Sequence, residues 1–287
     1  MLLQRVATSI IGVPVIVALI WLGGTWYSVA VAFFLVVAAL EFYAAVAPAS
    51  SANPTLAENP LAALSPLRLP RLLNQRPLGL MGVAFVALLV AGAHNGGDWW
   101  AGAMALAAVL PLLWLTLTGD VDRALGDWLW TVGGVVYIGW LGSHLEFLRH
   151  LSNGRDWVFL AVFATFANDT SAYLVGHALG RTKLVPHISP GKTVEGSLGG
   201  LLFGALGLVV LNYALGLRLD AAAIVPLAFL VPLAAQLGDL AESLIKRGAH
   251  VKDASVVVPG HGGVLDRLDS VLFVVPVVYY YAIWVVL

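Results

Sequence analysis

Cysteine is absent from the 287 residues, so there are no disulfides, no thiolate metal sites and no thiol nucleophile. Charge is nearly as scarce: Asp, Glu, Lys and Arg make up 11% of the chain, against about 25% in soluble domains. So few charges cannot keep a globule of this size dispersed in water. Neither sign is in excess, because 15 basic residues stand against 16 acidic ones, and such a balance argues against a nucleic-acid partner. The remainder is overwhelmingly apolar. At 60% hydrophobic residues, disorder is excluded. At about 20 residues per membrane-spanning helix, this content suffices for eight or nine spans. Each span must satisfy its own backbone hydrogen bonds in lipid, so the composition predicts an all-α, polytopic integral membrane protein.

Uninterrupted apolar runs place about nine transmembrane helices at 6–22, 26–46, 78–93, 99–117, 128–148, 157–179, 196–215, 221–240 and 264–287. Trp26, Trp99, Trp100, Trp128 and Trp157 stand at run edges, where amphipathic rings meet lipid headgroups. The first run, about 17 residues, exceeds the 7–15 residue apolar core of a cleavable signal peptide and reads as a retained span. The basic residues give an independent test. With the N-terminus in the cytoplasm and strict alternation, twelve of the fifteen fall inside: Arg5, Arg68, Arg71, Arg76, Arg123, Arg181, Lys183, Lys192, Lys246, Arg247, Lys252 and Arg267. Only Arg149, Arg155 and Arg218 fall outside. That asymmetry is what the positive-inside rule demands, and it puts the C-terminus outside.

No internal repeat or low-complexity tract divides the chain, which reads as a single membrane domain over 1–287. Within it, 1–150 holds the N-terminal helices and 157–287 the C-terminal ones. Three cytoplasmic segments differ in character. Residues 47–77 carry six prolines and a single carboxylate, Glu58, and form an irregular or interfacial connection. Residues 180–195 and 241–263 combine Lys, Arg, His, Ser, Gly and Pro. Chemistry is expected there.

An ionisable residue near a span centre costs about 2.5–3.5 kcal/mol on insertion scales, so its presence calls for a reason. Glu41 and Glu146 read as caps or hydrogen-bonding partners of neighbouring helices. Asn168 and Asp169 stand evenly between a structural and a functional reading. The denser pattern is 236–269. On a helix, Asp239, Glu242, Ser243 and Lys246 are spaced i, i+3, i+4 and i+7 and share one face. A turn follows, Pro259-Gly260-His261-Gly262-Gly263, whose glycines let backbone N–H groups approach a ligand. It leads into the last span, whose N-terminus is expected to present open N–H donors to a phosphate. Asp266 and Asp269 lie in that first turn at i, i+3. Paired acids beside a basic, glycine-rich wall suit a polyphosphate carried by a divalent metal, since Mg²⁺ favours one or two carboxylates plus substrate phosphates. Lys and Arg would neutralise the remaining oxygens. A plain solvated loop would show a simple basic run instead.

Two lookalikes fail. Gly191-Lys192-Thr193 ends like a P-loop, but Pro186 stands where the leading Gly belongs. His261-Gly262-Gly263 is no zinc site, because H-E-x-x-H is absent. The stripes Gly176/Gly180 and Gly196/Gly200/Gly204 read as close helix packing, a feature also compatible with a homodimer.

The segment Ser243–Asp269 resembles the signature of the phosphatidate cytidylyltransferase (CDP-diacylglycerol synthase) family. It supplies Ser243, Lys246-Arg247, Lys252-Asp253, Ser255, Pro259, His261-Gly262-Gly263 and Asp266-Arg267-Leu268-Asp269 at matching spacing. Asn168-Asp169 with Ala172-Tyr173 and Gly176, Ile188-Ser189-Pro190 with Lys192-Thr193 and Glu195-Gly196, and Gln236-Leu237-Gly238-Asp239 are similar to three further family blocks. Val258 stands where Leu, Ile or Phe is usual, and Gly191 where Lys is common. The match covers the last 120 or so residues; the N-terminal half agrees in hydropathy.

The resemblance implies the reaction CTP + phosphatidate → CDP-diacylglycerol + pyrophosphate, at the cytoplasmic face of the cell (inner) membrane. It implies Mg²⁺, with room for a second ion such as K⁺, and makes 157–287 the catalytic half carrying the signature 243–269. By this analogy Asp239 and Asp266 hold metal with Asp269 in reserve, while Lys192, Lys246, Arg247 and Arg267 take phosphates of CTP or lipid. Lys252 joins the substrate-binding set. Ser189, Ser243 and the His261-Gly262-Gly263 turn add donors, and Asn168, Asp169 and Tyr173 line the cavity or the nucleotide site. Two rivals stand beside this reading. A CTP-dependent polyprenol or dolichol kinase would release CDP. A transporter would use Asp169, Asp239 and Asp266 as ion sites, but the acids cluster at the cytoplasmic mouth and no inverted repeat shows.

Overall fold

The computed structural model of the protein describes residues 2–46, 77–118, 121–251, 255 and 262–287. The described residues form helices and one two-stranded hairpin. In order the chain forms α1 (Leu2–Leu22), α2 (Gly24–Val46), α3 (Pro77–His94), α4 (Trp100–Thr118) and α5 (Val121–Gly134). A π-helical turn, Val135–Trp140, leads to α6 (Leu141–His150) and α7 (Gly154–Leu179). The hairpin follows as β1 (Lys183–Val185) and β2 (Ser189–Thr193), then α8 (Val194–Ala214), α9 (Ala221–Gly248) and α10 (Leu265–Tyr281), which ends in a π-helical segment, Ala282–Val286.

Among the described residues, seven helices are long and apolar enough to cross a membrane: α2, α3, α4, α7, α8, α9 and α10 with its π-helical extension. This is a multi-pass, all-α membrane architecture, as the composition predicts. A shorter apolar stretch, Ile10–Leu22, lies in α1, and the run expected as one span at 128–148 is built from α5, the π turn and α6. Prolines stand inside α4, α9 and α10 at Pro111, Pro226, Pro232 and Pro276, a placement that bundles in lipid tolerate. Residues 47–76, the proline-rich connection, lie outside the described residues, as do Lys252 and His261.

The described chain divides into two compact units. The first comprises Met1–Ile16, Gly24–Ser143 and Gly248–Asp266. Its core gathers Phe85, Leu89, Ala103, Ala107 and Val135 from α3, α4 and the π turn. Tyr43 of α2 donates to the Thr131 carbonyl at 2.7 Å, and its ring occupies space that side chains at Gly82 and Gly134 would fill. Trp100 turns inward, stacking on Trp140 at 5.8 Å and donating to Ser143 Oγ at 3.0 Å. Its indole N–H finds a partner within the protein, which removes the need for the headgroup layer.

The second unit comprises Val17–Gly23, His144–Arg247 and Arg267–Leu287. Trp157, expected at a membrane edge, is 1% exposed in its core. Among the described residues, helices α7 and α8 pack extensively as an antiparallel pair. A Cβ on Gly196 would sit 2.8 Å from the Ala172 carbonyl, and one on Gly200 2.9 Å from Ala172 Cβ, so the glycine stripe permits the close approach. Helices α9 and α10 also run antiparallel. Gly238 abuts the backbone at Asp269 and Ser270, and Tyr281 donates to the Ala223 carbonyl at 2.7 Å.

Candidate active site

The polar groups of the second unit are delivered by α7, α8, α9, α10 and the hairpin. On α9 the i, i+3, i+4, i+7 spacing works as helical geometry dictates. Lys246 Nζ lies 2.5 Å from Glu242 Oε2, and Ser243 Oγ is 3.5 Å from Asp239 Oδ1. One turn earlier, Gln236 is fixed at both ends of its amide. Its Oε1 accepts from Ser197 Oγ at 2.5 Å, and its Nε2 donates to the Ser197 carbonyl at 2.9 Å and to Asn168 Oδ1 at 3.2 Å. Asn168, wholly buried, donates in turn to Asp169 Oδ1 at 2.9 Å. This amide relay ties α7, α8 and α9 together directly beneath the acids, and it satisfies polar groups that would otherwise be costly to bury.

Asp269 reaches the group because α10 crosses α9 at a glycine. A Cβ on Gly238 would lie 2.6 Å from the Asp269 carbonyl oxygen. With that crossing, one carboxylate oxygen each from Asp239, Glu242 and Asp269 lies within 4.8 Å of the others. Asp169 is in electrostatic reach of Asp239 and is bonded to the Ser270 side chain. Like charges about 4 Å apart repel by about 4 kcal/mol at an effective dielectric of 20, so such a set draws cations. Among the described residues two ammonium groups pair into it: Lys246 on Glu242, and Lys192, whose Nζ is 2.7 Å from Asp239 Oδ2. Three carboxylates against two ammonium groups leave room for a further positive charge, and clustered oxygen donors are what a hard divalent cation takes.

Lys192 is held by the hairpin. Strands β1 and β2 pair antiparallel, Lys183 with Thr193 and Val185 with Ser189. Glu195 closes the base, accepting the N–H groups of Arg181 and Thr182, each at 3.1 Å. Thr193 caps α8, its hydroxyl accepting from Gly196 N at 3.1 Å, an N-cap arrangement that satisfies an orphan helix donor. Arg247 Nε donates to the Ile188 carbonyl at 3.1 Å and ties the turn between the strands to the end of α9. The segment Gly191-Lys192-Thr193 is thus strand, with no phosphate-cradling loop.

A cavity of about 470 Å³ opens between the hairpin and the helices. Of the residues expected from sequence, Asn168, Asp169, Tyr173, Ser189, Lys192 and Asp239 line it. His177, Lys183 and Ser197 line it as well and were not singled out, and so does Gln236, quoted from sequence only as part of a motif block. Tyr173 is largely exposed, its ring parallel to that of His177 at 6.0 Å. Ser243, Lys246 and Arg247 occupy the last turns of α9. Arg267, exposed, sits in the first turn of α10.

One expectation is corrected. The N-terminus of α10 does not offer open donors to a phosphate. Gly263 N–H donates to Asp266 Oδ2 at 2.7 Å, and the Val264 and Leu265 N–H groups donate to Glu41 at 3.0 and 2.8 Å. A carboxylate buried in an apolar span needs donors, and unsatisfied first-turn N–H groups are the natural supply. Asp266 thereby serves its own helix start, while Glu242, i+3 from Asp239, joins the acids that group around Asp239. That spacing was the signal that would have found it.

A cytidylyltransferase family model matches residues 3–285. A phosphatidate cytidylyltransferase of Synechocystis is 33% identical over 98% of this chain and 96% of its own length. Another, from Staphylococcus haemolyticus, is 32% identical over 74% of this chain and 84% of its own. The Bacillus subtilis protein of the same name is 36% identical over 62% of this chain and 66% of its own.

Proposed function

The chain belongs to the cytidylyltransferase family, and from that premise we propose that it transfers the cytidylyl group of CTP to phosphatidate, yielding CDP-diacylglycerol and pyrophosphate. The observation that carries the reading is the acid group Asp239, Glu242 and Asp269 with Lys192 and Lys246 paired into it, beside a cavity whose volume of about 470 Å³ falls in the range of small-molecule sites.

The nucleophile is an oxygen of the lipid phosphate. It attacks the α-phosphorus of CTP while the bond to the pyrophosphate oxygen breaks. A phosphate monoester has its second pKa near 6 and is already anionic at neutral pH, so no side chain has to remove a proton. The obstacle is repulsion between two polyanions, and the chain's own groups address it by position and charge. Lys192, Lys246, Arg247 and Arg267 bind phosphate oxygens of CTP or lipid, with Lys252 assigned alongside them. Ser189, Ser243 and the His261-Gly262-Gly263 turn add neutral donors, and Asn168, Asp169 and Tyr173 shape the cavity. Asp239, Glu242 and Asp269 suit a divalent cation such as Mg²⁺, which when bound would neutralise phosphate charge and act as a Lewis acid. The signature motif assigns Asp266 to the metal as well. Basic residues concentrated on one side of the spans support a site that faces the cytoplasm from the cell membrane.

The test is an assay of purified protein with CTP labelled in the base, phosphatidic acid and Mg²⁺, with and without EDTA. A lipid carrying the cytidine label, together with pyrophosphate and lost on chelation, is the expected result. Release of CDP with an unlabelled lipid would make it a kinase and overturn the reading.

A further inference from the structure

Glu41 belongs to none of the motifs above, yet it holds the start of the helix that carries one of them. It lies in α2, wholly buried, and both of its oxygens are engaged. Oε1 accepts from Ser255 Oγ at 2.6 Å and from Val264 N at 3.0 Å, and Oε2 accepts from Leu265 N at 2.8 Å. One carboxylate oxygen thus holds Ser255 and Val264, the two residues that bracket 256–263. Gly263 fits against this carboxylate only because it lacks a side chain, since a Cβ there would sit 2.6 Å from Oε2. Its N–H continues the chain of contacts to Asp266 Oδ2 at 2.7 Å. Gly262, at φ +81, would bring a Cβ to 2.8 Å from the same Asp266 oxygen. All these residues belong to the first unit.

An apolar side chain could fill the volume of Glu41 without burying a carboxylate in a membrane span, which carries a free-energy cost. What a carboxylate supplies is three acceptor contacts with fixed directions, two of them to Val264 and Leu265 directly before Asp266 and one to Ser255. We propose that Glu41 is a positioning residue for the transfer reaction. It sets the Gly262–Gly263 turn and through it the carboxylate of Asp266. The inference rests on the cytidylyltransferase reading above and adds to it a residue from the N-terminal half.

The test compares E41Q and S255A with wild type as full-length protein in detergent. It measures kcat, KM for CTP, the Mg²⁺ concentration giving half-maximal rate, thermal stability, and amide exchange at Val264 and Leu265. E41Q keeps the shape but turns an NH₂ toward N–H donors. Its kcat should fall about 10- to 100-fold, the range a lost charged hydrogen bond converts to. The Mg²⁺ requirement should rise, and exchange at the two amides should quicken while the protein stays folded. S255A should move the same readouts in the same direction by less. Wild-type kcat and Mg²⁺ dependence in folded E41Q would overturn the proposal. If E41Q does not fold, S255A decides: a raised Mg²⁺ requirement supports it and an unchanged one overturns it. Wild type that makes no cytidine-labelled lipid would instead overturn the enzymatic reading, while unchanged amide exchange in E41Q would refute the positioning role by itself.

Discussion

Lys192 and Asp239 form the contact on which most of the proposed chemistry turns, an ammonium 2.7 Å from a carboxylate, with both residues lining the cavity. The pair is partly exposed, with side chains 23% and 36% accessible, so its own stabilising effect is small; in the proposed function it would present both signs of charge to the substrate phosphates. D239N should abolish cytidylyl transfer while the protein remains in the membrane fraction, as label incorporation and fractionation would show. K192A should leave folding intact and reduce kcat/KM for CTP by about 10- to 100-fold, the range that the loss of one hydrogen bond to a charged phosphate oxygen converts to. Near-normal turnover in either variant would remove that residue from the site. The candidate acids and bases stand out in the sequence because hydrocarbon does not accept them. Their partners were harder to name: Glu242 shared a helix face with Asp239 in the sequence, but nothing local said that Asp269 would meet both.

The hairpin and the helix crossings decide whether those side chains meet. Thr193 ends β2 and caps α8 in one residue, so T193A should lower stability by about 0.5–2 kcal/mol, read from thermal unfolding. Gly238 is the crossing point of α9 and α10 in the second unit. Because a Cβ there would be 2.6 Å from the Asp269 carbonyl oxygen, G238A has to push one helix off the other, an overpacking cost of about 1–3 kcal/mol. The expected signature is a higher Mg²⁺ requirement together with a lower melting temperature. A variant with the parent's metal dependence would separate the crossing from the acid group. The helices themselves were legible from apolar runs, and so was the glycine stripe between α7 and α8. The hairpin was not: a three-residue and a five-residue strand in a polar, Pro- and Gly-containing stretch carry too little alternation to be distinguished from loop. The fifth run, read as one continuous span, conceals the π turn at Val135–Trp140 for a similar reason, since hydropathy does not register a change of helical pitch.

The molecule as a whole is a multi-pass membrane enzyme, and the orientation proposed for it rests on its few basic residues. The native chain lacks cysteine, so single introduced thiols report topology without background. R218C should react with an impermeant maleimide in intact cells, whereas R123C should react only after permeabilisation. The reverse pattern would invert the orientation and place the acid group on the wrong side for CTP.

Composition alone was enough to specify a helical membrane protein, because the cost of exposing peptide groups to lipid acts on every residue independently of its neighbours in space. Charge asymmetry and motif spacing likewise act along the chain and can be read from it. Which carboxylates gather together, and which accept from backbone N–H groups, depended on contacts between segments far apart in sequence. Asp269 was brought to Asp239 by the absence of a side chain at Gly238, and the α10 N-terminus was closed by Glu41 from α2. Neither outcome has a local signal: both arise from close packing and from the demand of buried polar groups for partners, wherever in the chain those partners lie.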